Sequence, residues 1–205
     1  MPSATSLRGL TFGELLDQVG AKTPAPGGGA VASAVGAVAS ALGRMVVAYS
    51  IGKKNLAEHQ PALERATIVL GRTAELLLEL ADEDAAAYTL VNELSKLPET
   101  DERRRAEWEA AVEAAVNVPR AVVGACGDLL RLLETLEPIT NRHLRSDLAI
   151  AAVLAEAAAR CGWWNVRVNL TLMTDGAARG ALEAEMRALL QDAHERRGRV
   201  EEACA

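Results

Sequence analysis

Residues 30–51 read AVASAVGAVASALGRMVVAYSI, an almost unbroken run of small and apolar side chains. Alanine and leucine lose the least free energy on entering a helix, so this composition predicts a helix. Glycine and serine recur at heptad spacing along it, at Gly29, Ser33, Gly36, Ser40 and Gly43. A seam with so little side chain lets another helix approach backbone to backbone. We therefore expect a tight helix pair here, within the chain or between two copies; chance spacing in an alanine-rich helix is the alternative.

The same run is long enough to cross a membrane, since about 20 apolar residues span a bilayer. However, it contains Arg44 and several serines, and most of its side chains are glycine or alanine rather than leucine or phenylalanine. We interpret it as the buried helix of a protein that has no membrane partner.

The composition extends the helical prediction to the whole chain. The protein has 205 residues, of which 50% are hydrophobic and only 3% aromatic. Alanine and leucine far outnumber the β-branched and aromatic residues that favour strands. A chain of this length fits one domain with a sizeable core. We predict an all-α fold with a single helical domain over residues 1–205.

Charge, cysteine content and the first residues narrow the classes of function. The formal net charge is −6 and no basic stripe with interleaved aromatics occurs, which argues against nucleic-acid binding. The three cysteines are scattered without C-x-x-C spacing, which argues against a zinc site or a disulfide framework. The chain starts without the pattern of an export signal. We expect a reduced, cytoplasmic protein.

Periodicity and boundary residues predict the other helices. Thr11 and Glu14 have the spacing of a capping box, which begins a helix over residues 11–19. Further helices are expected over residues 61–94, 101–117, 119–136, 147–161 and 177–202, with Pro119 opening a new turn. Residues 165–173 alternate like a strand, but the chain offers no second strand to pair with, so we favour a helix there.

Two aspartates occupy inward positions of predicted helices. Asp84 lies in the apolar stripe of residues 61–94, while its neighbours Asp82 and Glu83 are expected to point away. A desolvated carboxyl has a raised pKa, as a general acid near neutral pH requires. Asp147 repeats this placement on a second helix. A structural aspartate at position 84, and an ordinary helix cap at Ser146 or Asp147, are the alternatives.

The loop of residues 24–29 offers free backbone N–H groups at the start of a helix, which suits a carboxylate or a polar ring edge. Lys53 and Lys54 close the same helix, where cations are favoured by the helix dipole even without a ligand. His59, His143 and His194 are isolated and lack the spacing of metal ligands. We therefore assign no metal site.

Several short motifs follow one another in an order that resembles the cyclodeaminase/cyclohydrolase family. This family contains the cyclodeaminase domain of formiminotransferase-cyclodeaminase and stand-alone methenyltetrahydrofolate cyclohydrolases. The resemblance covers roughly residues 9–200. It rests on residues 24–29, 45–54, 84–88, 97–98 and 118–119, on Asn141 with Ser146 and Asp147, and on Asn165 with Val166 and Asn169.

The resemblance implies an elongated helical bundle that forms a homodimer, with a folate site in a groove near the dimer contact. It implies a one-carbon-substituted tetrahydrofolate as substrate and no metal or redox cofactor. Asp84 would be the proton donor and Asp147 a base or an orienting group. The expected substrate-binding residues are Pro26, Gly27, Gly28, Gly29, Lys53, Lys54, Asn141, Ser146, Asn165 and Asn169.

Three reactions or roles remain open at this point. A cyclodeaminase would form 5,10-methenyltetrahydrofolate from the formimidoyl compound and release ammonia, which must be protonated to leave. A cyclohydrolase would hydrolyse the methenyl compound in the same pocket. A helical folate-binding dimer without catalysis is the alternative of another class. Thr140, Trp163 and Trp164 depart from the family pattern and place the substrate's identity in question more than the fold.

Overall fold

The computed structural model describes residues 6–205, which form six α-helices and no strand. The helices are α1 Phe12–Gly20, α2 Gly28–Ala48, α3 Gln60–Ser95, α4 Glu102–Leu136, α5 Arg145–Leu170 and α6 Gly176–Cys204. Short 3₁₀ turns cover Leu7–Gly9, Lys54–His59, Glu137–Ile139 and Arg142–Leu144. With 36 residues, α3 is about 54 Å long at 1.5 Å per residue. The all-α prediction is confirmed.

The first helix begins as its sequence predicts. The Thr11 side chain accepts a hydrogen bond from the backbone N–H of Glu14, and the Glu14 carboxylate accepts one from the backbone N–H of Thr11. This reciprocal capping box satisfies two N–H groups that would otherwise lack partners. The helix runs to Gly20, so both predicted ends are confirmed.

The glycine seam of α2 packs inside the chain. This helix lies between α3 and α5, and α4 closes the far side of the bundle, with α6 against α4 and α5. A Cβ built on Gly36 would lie 3.1 Å from both Cys126 Sγ and Leu77 Cδ1, and one on Gly43 would lie 2.8 Å from Leu133 Cδ2. The tight packing is confirmed. The interpretation of this seam as a contact between two copies is wrong, because the neighbouring helices of the same chain already fill it.

The structure joins segments that the sequence pattern separates. Helix α4 continues through Pro119, although a proline has no N–H to donate to the carbonyl four residues earlier. That carbonyl, on Ala115, instead accepts a hydrogen bond of 2.6 Å from Nδ2 of Asn169 on α5. The expected boundary at Pro119 is therefore wrong, because a side chain replaces the missing backbone donor. The helix predicted to end near residue 161 likewise continues to Leu170, which confirms the helix over most of residues 165–173.

The outer face of α2 is apolar and only partly covered. Val38 and Tyr49 are 53% and 62% exposed. They belong to a heptad stripe on the side opposite the glycine seam, formed by Val31, Val35, Val38, Leu42, Met45 and Tyr49. Among the described residues, α2 is the helix long and apolar enough to cross a membrane, yet 56% of that apolar window is buried inside the fold. Its burial supports the interpretation as a core helix. We call the exposed stripe the outer seam.

Candidate active site

Asp84 of α3 meets the first turn of α2. A Cβ built on Gly29 would lie 2.1 Å from Asp84 Oδ2 and 2.3 Å from its carboxyl carbon, so the carboxyl group occupies the space that any other residue's side chain would need. Glycine at position 29 is therefore a requirement of this contact. The inward placement of Asp84 that the helical periodicity predicts is confirmed.

Burial raises the pKa of the Asp84 carboxyl above its usual value. The positive end of the α2 dipole acts in the opposite direction, because it favours the charged carboxylate. No described residue donates a hydrogen bond to Asp84 that would lower its pKa further, and desolvation is the cause of the raised value. A carboxyl group in this state holds its proton to a higher pH than an exposed aspartate does.

The start of α2 supplies the rest of this cluster. Gly27 is the N-cap residue and no side chain caps the helix, so the first N–H groups remain free for a ligand. Pro26 precedes it and is half-buried. From α5, Oδ1 of Asn165 would lie 3.5 Å from a Cβ built on Gly28, and its Nδ2 donates to the carbonyl of Cys161. Asp84, Asn165 and the residues 27–29 form what we call the Asp84 cluster.

A second group of predicted residues lies at the other end of α2. The backbone N–H of Asn141 donates to Ser50 Oγ at 2.9 Å, just beyond the last turn of this helix. Lys53 and Lys54 follow Ser50 in the chain, and Ser146 and Asp147 begin α5. We call these five predicted residues the Lys53 cluster: Lys53, Lys54, Asn141, Ser146 and Asp147.

The residues of the Lys53 cluster are accessible. Asp147 and Lys53 are half-buried, and Lys54 and Ser146 are exposed. Helix α5 has no side-chain cap, so the interpretation of Ser146 or Asp147 as an ordinary cap is wrong. Asn141 does cap a turn, because its Oδ1 accepts a hydrogen bond from the N–H of His143.

The predicted site residues therefore fall into two groups within one chain. At 1.5 Å per residue, the 21 residues of α2 hold the Asp84 and Lys53 clusters about 30 Å apart. Asn169 belongs to neither group, because its amide is engaged with the carbonyl of Ala115. The two clusters of one chain are therefore separate places on its surface, at opposite ends of α2.

Asp82 has a role that the helical pattern misses. It was expected to point away, but its carboxylate accepts hydrogen bonds from the backbone N–H of Leu7, at 2.9 Å, and from the Ser6 hydroxyl. This fixes Leu7 over Ala30 and Ala81, which adjoin Gly29 on α2 and the Asp84 turn of α3. Residues 6 and 7 are thus held beside the Asp84 cluster. No periodicity signals a contact across more than seventy residues. Glu83 is exposed, as predicted.

Within residues 6–205, no three His, Cys, Asp or Glu side chains are grouped to hold a metal ion. Near the start of α2, the acid–base group of the Asp84 cluster is the carboxyl of Asp84 itself. This arrangement can bind a polar ligand at free N–H groups and pass a proton to it from Asp84.

Comparison with known sequences assigns these helices to a family. The sequence profile of formiminotransferase-cyclodeaminase matches residues 11–188. The chain belongs to the formiminotransferase-cyclodeaminase family. It is 32% identical over 193 residues to formimidoyltransferase-cyclodeaminase of Mus musculus, a match that covers 92% of this chain and 35% of that protein. The chain thus spans about a third of the length of such relatives.

Two further members of the family match along most of their length. Methenyltetrahydrofolate cyclohydrolase of Methylorubrum extorquens is 30% identical over 187 residues, 89% of this chain and 90% of that protein. A crystal structure of formiminotetrahydrofolate cyclodeaminase from Thermotoga maritima superimposes with a TM-score of 0.87, at 31% identity and 96% coverage of both chains. The resemblance stated from the motifs is confirmed, and family members with both names are enzymes of folate chemistry.

Proposed function

We propose that this protein is a formimidoyltetrahydrofolate cyclodeaminase, which forms 5,10-methenyltetrahydrofolate and releases ammonia by general acid–base catalysis. The observation that carries this proposal is the half-desolvated carboxyl of Asp84, which fills the space above Gly29 at a helix start with free N–H groups. Its raised pKa suits a group that must hold a proton until the substrate needs it.

The reaction needs this proton at one step. N10 of the substrate attacks the formimino carbon carried by N5 and forms a tetrahedral centre between two ring nitrogens and an amino group. The amino group leaves as ammonia only after protonation, because an amide ion is far too basic to depart. Asp84 donates that proton, and the carboxylate left behind accepts a proton from N10. No step transfers electrons, so we propose that the reaction needs no redox cofactor. We also propose that it uses no metal, because side-chain acid–base groups supply its proton transfers, and that the protein acts in the cytoplasm.

A homodimer would unite the two clusters. The outer seam of α2 carries apolar side chains at heptad spacing, as helices that pair with a second copy do. In a two-fold dimer whose axis is perpendicular to α2, the paired α2 helices run antiparallel, so the Asp84 cluster of one copy faces the Lys53 cluster of the other. We propose that folate lies across this contact, with Asp147 and Asn141 of the second copy near the ring and Lys53 and Lys54 near the acidic tail.

Methenyltetrahydrofolate cyclohydrolase is the second candidate activity, because a relative with that name matches this chain along 90% of its own length. Water would attack the methenyl carbon, and the same carboxyl group would act first as a base and then as an acid. Both reactions pass through a tetrahedral carbon between two nitrogens, so one pocket serves either.

One assay separates the two activities. The absorbance band of methenyltetrahydrofolate is followed with the formimidoyl and the methenyl compounds as parallel substrates, each against an enzyme-free control. We expect growth of the band with stoichiometric ammonia from the first substrate. Enzyme-dependent decay of the band from the second would instead establish the cyclohydrolase. A response from neither substrate, with folate binding retained, would contradict catalysis.

A further inference from the structure

The packing of α2 on α3 has a regular register. Three glycines of α2 each lie against one residue of α3, and the pairs are Gly29 with Asp84, Gly36 with Leu77 and Gly43 with Leu70. Seven residues forward along α2 therefore correspond to seven residues back along α3, as in an antiparallel pair. The same register places Tyr88, four residues after Asp84, level with Ala25, which precedes the first residue of α2.

Helix α3 extends well beyond the point where α2 begins. It runs eleven residues past Asp84 to Ser95, about 16 Å at 1.5 Å per residue. Asn165 of α5 lies beside Gly28, and α5 likewise continues to Leu170. Since α2 lies between α3 and α5, these two helices lose their helical neighbour above its first turn. The free N–H groups of that turn point along the helix axis into this opening, and the Asp84 carboxyl borders it.

Tyr88 lies on the face of α3 that carries Asp84, at a level that α2 no longer covers. Leu77 and Ala81 precede Asp84 on this face and are fully buried, whereas Tyr88 is 50% exposed. Side chains of a helix lean toward its N-terminus and cover the preceding turn. The ring of Tyr88 is therefore directed back toward Asp84, so an aromatic ring and the carboxyl adjoin the same opening.

The ring supplies what the other groups at the start of α2 lack. Free N–H groups orient the polar edge of a ligand but give little net affinity, because water satisfies them when the site is empty. The flat face of a ring needs an apolar partner, and an aromatic side chain beside the N–H groups provides one. The register places Tyr88 in that position.

We propose that Tyr88 is a further substrate-binding residue, whose ring packs against the pterin of the folate while the one-carbon group on N5 lies beside Asp84. This role rests on the proposed function, because it concerns the same substrate at the same site. The contact uses the face of the ring and not its hydroxyl group. It is made equally in the ground state and in the transition state, so it lowers KM without raising kcat.

Steady-state kinetics of ring variants tests this role. Tyr88→Ala should raise KM for the folate that the enzyme turns over by about tenfold and leave kcat within a factor of about two. Tyr88→Phe keeps the ring and should restore most of the lost affinity. Ile68→Ala is the matched control, because it removes a side chain that is 56% exposed, sixteen residues before Asp84 on the same helix, and it should leave KM unchanged.

Two results would overturn the role of Tyr88 while the proposed function stands. The first is an equal KM in the wild type and in Tyr88→Ala. The second is a loss of affinity that Tyr88→Phe does not restore, because the hydroxyl group would then be the part that binds. Tyr88→Leu keeps apolar bulk without the flat ring, and it repeats the test if Tyr88→Ala fails to fold.

Isothermal titration calorimetry with 5-formyltetrahydrofolate, whose formyl group carries no nitrogen to lose as ammonia, separates binding from catalysis. We expect this probe to bind Tyr88→Ala about tenfold more weakly than the wild type. If the wild type binds the probe but turns over neither folate substrate, the proposed catalysis is wrong, and the tenfold difference would still establish the contact with Tyr88. If the wild type neither binds the probe nor turns over a folate, both proposals are wrong.

Discussion

The two ends of α2 are built on different principles. At its start, Asp84 packs against a glycine backbone and loses water, so its position and its pKa are set by the surrounding helices. At its end, Lys53 and Lys54 lie in a turn and Ser146 lies in the first turn of α5. The side chains of all three are partly or fully exposed to solvent. The first arrangement is preorganised for proton transfer, whereas the second suits contacts that a ligand or a second chain completes. The difference supports the proposal that Asp84 transfers the proton at the first end, while the residues at the second end complete the site.

The largest effect is expected from Asp84→Asn, which removes the proposed proton donor while keeping the size of the side chain. General acids contribute roughly 10² to 10⁴ in rate, so turnover should fall about 10³-fold. The absorbance assay measures the loss, and far-UV circular dichroism verifies the fold. Glu83→Gln removes an adjacent but exposed carboxylate and should retain full activity. A comparable loss in both variants would contradict a special role for Asp84.

Mixing two inactive variants tests whether the two ends work across a dimer. Asp84→Asn and Asp147→Asn should each be inactive alone. Produced together in equal amounts, half of the dimers would be mixed and carry one intact site of two, which predicts recovery of about a quarter of the wild-type activity. A third change, Val38→Glu on the outer seam, should abolish both the dimer mass and the recovery. If mixed dimers form but activity does not recover, Asp84 of one copy and Asp147 of the other do not share an active site.

Gly29→Ala tests the close contact at the start of α2. The added Cβ would overlap the carboxyl of Asp84 at 2.1 Å, so the carboxyl must leave its position. A misplaced catalytic group costs about 10²-fold in turnover. Gly28→Ala is the matched control, because its Cβ would meet Asn165 at an ordinary 3.5 Å. Equal activities of the two variants would show that Asp84 acts from another position.

Sequence reasoning predicts the first end of α2 better than the second. Helical periodicity places Asp84 in an apolar stripe, and the glycines at heptad spacing predict a close contact between helices. Periodicity describes one helix at a time, however. It cannot show that Gly29 lies on Asp84, that Asp82 holds Leu7, or that the predicted site residues are divided by the length of α2. Those facts depend on which helices become neighbours, and that depends on the whole core.

The Asn169 side chain shows the same limit in another way. Its place in the motif order suggested substrate binding, but it donates to the carbonyl of Ala115 that Pro119 leaves without a backbone partner. Asn169→Ala should therefore lower the free energy of unfolding by about 1–3 kcal/mol, the cost of an unpaired buried carbonyl. In a Pro119→Ala background, the restored N–H should reduce that cost by at least about 1 kcal/mol. Urea unfolding of the wild type, the two single variants and the double variant measures the coupling between the two positions. If Asn169→Ala lowers the free energy of unfolding equally with and without Pro119, Asn169 does not replace the missing backbone donor.

The smallest effect expected is the dependence of stability on the protonation of Asp84. Burial raises its pKa in the folded state, so the native protein holds this proton to a higher pH than the unfolded chain does. The stabilising contribution is therefore fully present below the unfolded pKa and is lost as pH rises through the folded pKa. Asp84→Asn removes this linkage. Relative to the variant, the wild type should become less stable as pH rises from acidic values toward neutrality. Urea unfolding of both proteins over that range measures the difference. A difference that stays constant with pH would show that the α2 dipole cancels the effect of burial, and one that changes in favour of the wild type would show that it outweighs burial. In either case Asp84 would be an ordinary ionised aspartate and would not hold a proton at neutral pH.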